Sequence, residues 1–107
     1  TRREPGDTML YAFTLMEKPG TAALRPQIRP VHKTYLAKVQ EHIAFAGPLV
    51  TDDGSTMLGS LLVIDFPDRQ TAQDWLAQEP FLKAGIFAST SVHAFVNLWP
   101  QKAGFPT

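Results

Sequence analysis

Arg25, Arg29 and His32 fall close together just ahead of an apolar helical pattern, with Pro30 between the second arginine and the histidine. These residue types suit proton transfer beside a developing anion. An imidazole exchanges a proton near neutral pH. Guanidinium groups offer paired donors to an anionic or enolate-like oxygen. Proline disfavours helix at the residue before it and suits the first helical position. The spacing therefore predicts a helix starting at Pro30, with Arg29 at its boundary and both arginines in the preceding loop. His32 then lies in the first turn, where the positive end of the helix dipole favours a neutral imidazole able to accept a proton. On this reading nothing places the arginines on the helical face of His32. Ser60 opens an apolar strand, where an inward-facing hydroxyl would hydrogen-bond a ligand. Each residue also has a plainer reading: backbone bonding for His32, surface ion pairs for the arginines, and close packing beside Gly59 for Ser60.

Composition removes several other chemistries. Ten basic residues balance ten acidic ones, so phosphate-driven binding to nucleic acid is not expected. There is no cysteine, which excludes disulfides, thiolate metal sites and a cysteine nucleophile, and which fits a cytoplasmic protein. No apolar run has the length of a membrane span, and the start lacks the apolar region of a signal peptide. Asp52 and Asp53 stand beside Gly54 as turn formers rather than metal ligands, and His42 and His93 make no ligand spacing with His32. No Gly-rich phosphate loop, dinucleotide fingerprint or nucleophile elbow occurs. The expectation is a site without cofactor or metal.

The elements that must position these residues follow in order. The length gives one domain over residues 1–107, with a polar lead-in at 1–8 and a proline-containing tail at 100–107 that could lie over a neighbouring surface. Residues 9–16 form a first strand by apolar density, and 17–24 a loop. In the first helix Val31, Tyr35, Leu36, Val39 and Ile43 make the apolar stripe. Residues 43–50 form a second strand, in which Gly47-Pro48 suggests a kink or bulge. Asp52-Asp53-Gly54 turns a hairpin into a third strand over 58–66. Asp68 caps a second helix, whose buried face is Ala72, Trp75 and Leu76. Pro80 interrupts it, one more turn follows to Gly85, and 92–99 form a fourth strand.

The order βαββαβ is the ferredoxin-like arrangement, an α+β fold with a four-stranded antiparallel sheet and two helices on one face. Such a sheet with one wet face should alternate apolar and polar residues. Residues 9–13 and 61–64 do not alternate. Two helices cover one face, so a second copy of the chain is expected on the other, giving a homodimer.

Several short pieces, taken in order, resemble the YCII-like (YciI-related) domains. They are Arg25 and Arg29 ahead of Pro30-Val31-His32, Ala46-Gly47-Pro48, Gly59-Ser60, Glu79-Pro80-Phe81 and Ala84-Gly85-Ile86-Phe87. The resemblance implies a dimeric α+β barrel. It also implies a site pairing His32 with the acid ahead of Pro80, which here is Glu79 where the family usually has aspartate. Glu79 is one methylene longer; without the resemblance it reads as a solvated residue at a helix break. A dehydrochlorinase of chlorinated aromatics is counted among the family's relatives.

Two functional readings stand side by side. In one, His32 removes a proton from a small cyclic or aromatic substrate, assisted by Glu79, with arginine and Ser60 binding it, in a cofactor-free elimination or isomerisation. In the other, the domain binds a small molecule or simply assembles, without catalysis. The geometry of His32 and Glu79 separates them: meeting beside a pocket favours the first, lying apart removes its basis.

Overall fold

The structure, a computed structural model, describes residues 8–101. The expected lead-in lies outside it except for Thr8, and the expected tail except for Pro100 and Gln101. Four strands and three helices follow one another: β1 (Met9–Glu17), α1 (Arg25–Ala37), β2 (Ile43–Val50), β3 (Met57–Phe66), α2 (Arg69–Ala77), α3 (Pro80–Lys83) and β4 (Phe87–Phe95), with a short 3₁₀ turn ahead of β2. The sheet runs β2-β3-β1-β4, and every pair is antiparallel. This is the expected ferredoxin-like α+β fold.

Locally encoded features stand where the sequence puts them. The Asp68 carboxylate accepts from the Thr71 backbone N–H at 2.8 Å and caps α2. Ala72, Trp75 and Leu76 are that helix's buried residues. In the β2–β3 hairpin Asp53 accepts from the Thr51 hydroxyl and from both the backbone N–H and hydroxyl of Ser55. These bonds, led by that from Thr51, stabilise the charged form and lower its carboxyl to about 2. α3 ends at Gly85, whose φ of +78° is a conformation side chains resist.

Three expectations need correction. The first helix begins at Arg25, not Pro30. Pro26 takes its second position, where a missing N–H costs nothing, and Pro30 sits inside it. A proline there removes one helical bond, to the carbonyl of Pro26, and Pro26 is exposed to water. His32 is therefore mid-helix, and the dipole argument for it lapses. Val31 is 59% exposed and leaves the apolar stripe, while Ile28, Tyr35 and Leu36 pack against the core.

The fourth strand starts at Phe87 and ends at Phe95, five residues earlier than expected at its start. Its small hydroxyl residues Ser89, Thr90 and Ser91 carry no apolar signal yet pair along β1. Finally, no bulge falls at Gly47-Pro48. Pro48 pairs with Ser60 in register, and the irregularities fall between Ile43 and Phe45 and between Leu49 and Val50. β2 is an edge strand, which accommodates a residue without an N–H.

The core lies between the helices and one sheet face. Tyr11, Phe13 and Leu15 of β1 meet Leu62, Ile64 and Phe66 of β3, with Trp75, Phe81, Ile86 and Phe87 packed onto them. Residues paired across strands share a face. The register thus puts Leu10, Ala12 and Met16 with Leu61, Val63 and Phe45 on the opposite face. Val63 is buried there among strand neighbours, outside the core cluster. This second face carries those apolar residues together with Thr14, Asp65, Ser91 and His93, and no helix of the described residues is part of it.

Candidate active site

α1 presents Arg25, Arg29, His32 and Leu36 at intervals of four, three and four residues, a single helical face. The expectation that the arginines belong to a separate loop is overturned by the earlier helix start. All four residues, with Lys33, line one cavity of about 240 Å³. Its remaining wall comes from the helix-facing side of β2 and β3, including Ser60, and from Phe81 of α3. Ser60 is 5% exposed, so its hydroxyl is held in a nearly dry setting at the cavity.

Glu79 arrives from the other side. Pro80 at the first position of α3 makes Glu79 its N-cap, and one carboxylate oxygen, Oε2, accepts from the Leu82 backbone N–H at 3.0 Å. The other, Oε1, lies 2.5 Å from His32 Nδ1. Glu79 is fully buried, which corrects the solvated reading. A carboxylate so buried needs its partners, and these two bonds provide them. An ionised carboxylate only accepts. Facing an ionised Glu79, Nδ1 donates the hydrogen, and in the neutral imidazole Nε2 is then the nitrogen with a free lone pair.

The ring's plane is fixed as well as its tautomer. His32 stacks on Phe81 with centroids 4.0 Å apart and planes 16° from parallel. The Arg25 guanidinium carbon stands 4.9 Å from the same Phe81 ring centroid and pairs with Glu17 at the end of β1. Behind the site, the Tyr35 hydroxyl donates to the Trp75 carbonyl at 2.6 Å. Burial, and then the nearby Glu79 charge, raise that phenol above its ordinary range, so Tyr35 stays a donor.

Arg29 and Lys33 have no ion pair among the described residues. The cavity wall thus carries Arg25, Arg29 and Lys33 and no carboxylate. Such an enclosure attracts an anion. Among the described residues no group of three or more histidines and carboxylates stands close enough to hold a metal ion, and no helix is long and apolar enough to cross a membrane.

Sequence reasoning missed Glu17, Lys33 and the packing role of Phe81. Only Lys33 had a usable signal, lying four residues after Arg29 once the helix is extended back to Arg25. The others depend on strand register and on α3 closing against α1.

The fold and this His–acid arrangement define a small α+β protein built around one cation-lined cavity. Residues 9–96 match the YCII-related domain, and the chain belongs to that family. It is 30% identical over 98 residues to an uncharacterised protein of Haemophilus influenzae, covering 85% of this chain and all of that one. It is 27% identical to Protein YciI of Escherichia coli, with the same coverage. Among solved structures it resembles 5-chloro-2-hydroxyhydroquinone dehydrochlorinase (TftG) of Burkholderia phenoliruptrix, in complex with 2,5-dihydroxybenzoquinone. That likeness has a TM-score of 0.76 and 27% identity, and covers 82% of this chain and 94% of that one.

Proposed function

We propose that this chain is a cofactor-free enzyme acting on a small cyclic or aromatic molecule, with His32 as general base. Nε2 takes a proton from the substrate, and the electron pair left behind forms a new double bond. In an elimination the leaving group departs as an anion; in an isomerisation the proton returns elsewhere on the ring. Glu79 holds the tautomer and stabilises the imidazolium. Arg25 and Arg29 bind the developing negative charge, and Ser60 offers a hydroxyl to the ring. The observation that carries this reading is the 2.5 Å contact between His32 Nδ1 and buried Glu79, made at the wall of a cavity lined with cations. The similarity to a dehydrochlorinase supports elimination as the reaction class.

Calorimetric titration with 2,5-dihydroxybenzoquinone, the ligand named for that neighbour, tests the site. Binding should weaken by roughly tenfold or more in Arg29→Gln, the loss of one charge-assisted contact. Equal affinity in the wild type and Arg29→Gln would remove the arginine from the site. Chloride release from 5-chloro-2-hydroxyhydroquinone then separates enzyme from binding domain: intact binding with no release would favour the non-catalytic reading.

The apolar residues on the second sheet face call for a partner, and we propose a second copy packed face to face on Leu10, Ala12, Leu61, Val63 and Phe45. Light scattering at micromolar concentration should give twice the 11.8 kDa chain mass. A monodisperse species at the chain mass would sink the dimer.

A further inference from the structure

A second recess shares lining residues with the His32 cavity, and we infer that the ligand has two parts: a planar anionic ring held at His32 and an uncharged apolar arm lying in that recess. The inference rests on the proposed ring-binding role of the His32 site and adds the class of substituent its substrate carries. The recess, about 410 Å³, is lined by Ala22, Pro26, Met57 and Glu17 among others, and it shares Arg25, Arg29 and Met57 with the His32 cavity.

Size argues for joint use. Sites for small organic ligands commonly span about 300–1,000 Å³. The His32 cavity alone, at about 240 Å³, falls short of that range; with the recess it lies well inside. Charge argues for the division of labour. Beyond the shared Arg25 and Arg29, the His32 cavity adds Lys33 and no carboxylate, whereas the recess adds Glu17, so the anionic part belongs at His32. The recess has Glu17 in its wall, already paired with Arg25; beside the shared Arg29 and the polar Ser55 and Thr56, the rest of its lining is the apolar surface of Ala22, Pro26 and Met57. Arg25 stands at the junction. Its guanidinium pairs with Glu17 and lies against Phe81, so the residue common to the two linings is held in place rather than mobile. Ala22 is an exposed loop residue ahead of α1, so a large side chain there would obstruct the recess without disturbing the core.

The test compares 2,5-dihydroxybenzoquinone with its ring-substituted butyl homologue by calorimetry, against the wild type and Ala22→Trp. In the wild type the homologue should bind about tenfold tighter or more, because buried methylenes add affinity. In Ala22→Trp that advantage should vanish while the parent ring keeps its affinity. Equal affinities in the wild type, an advantage that survives Ala22→Trp, or a loss affecting both ligands alike would each overturn the two-part ligand and leave the ring site standing. Failure of the wild type to bind either compound would fell the ring site, and the two-part ligand with it.

Discussion

Glu79→Gln should reverse the tautomer of His32 and disable it as a base while the fold survives. The amide matches the carboxylate in volume and keeps one acceptor oxygen. The Leu82 N–H, which Oε2 now satisfies, will retain that oxygen, because a buried backbone donor is costly to strand. The amide nitrogen then faces Nδ1 where Oε1 stood. It can only donate, so Nδ1 must accept and the proton moves to Nε2, the nitrogen left for substrate. Proton abstraction should then fall by about four orders of magnitude, as for a base held in the wrong tautomer, with a stability loss of about 1–3 kcal/mol. Long-range nitrogen–proton NMR of the His32 ring reads the tautomer without any substrate. Unchanged ring nitrogen shifts in Glu79→Gln would show that Glu79 does not set the base.

Gly59→Ala should be among the most damaging single-methyl additions in the chain. A Cβ built on Gly59 would lie 2.2 Å from the Leu15 carbonyl oxygen and 3.1 Å from its carbon. Both obstacles are backbone atoms of β1, so no side chain can rotate out of the way. The clash sits at the pairing of the two central strands, where Met16 faces Gly59 and Leu15 faces Ser60. Relief requires the strands to separate locally, and Ser60 would shift with them. The expected cost is about 3 kcal/mol, the upper part of the overpacking range. For a domain of this size that lowers Tm by more than about 10 °C. Thermal denaturation followed by circular dichroism measures it, and a Tm within about 2 °C of the wild type would contradict the close approach.

What the sequence revealed of this molecule follows the range of the interactions involved. Asp68 and the face of α2 were legible because a cap and its first turn lie within four residues. The hairpin at Asp53 was legible for the same reason. The start of α1 was misread because two prolines each fitted a helix beginning, and only tertiary packing tells Pro26 from Pro30. That error hid the single face joining Arg25, Arg29 and His32. The expected β4 is displaced toward the C-terminus because the hydroxyl residues that begin it are specified by pairing with β1 rather than by their own apolarity. Family resemblance pointed to Glu79, whereas its burial follows from Pro80 starting a helix against α1 and cannot be seen in a window of sequence.

The length of one side chain also acts as a gauge between two helices. Glu79 is anchored at the beginning of α3 through Oε2 and touches α1 through Oε1, so it works as a strut of fixed extension. An aspartate at the same place would be shorter by one carbon–carbon bond, about 1.5 Å, far more than a short hydrogen bond can absorb. The same pairing made with aspartate therefore demands that α1 and α3 stand closer together. The acid at position 79 sets the spacing of these two helices as well as the orientation of the His32 ring.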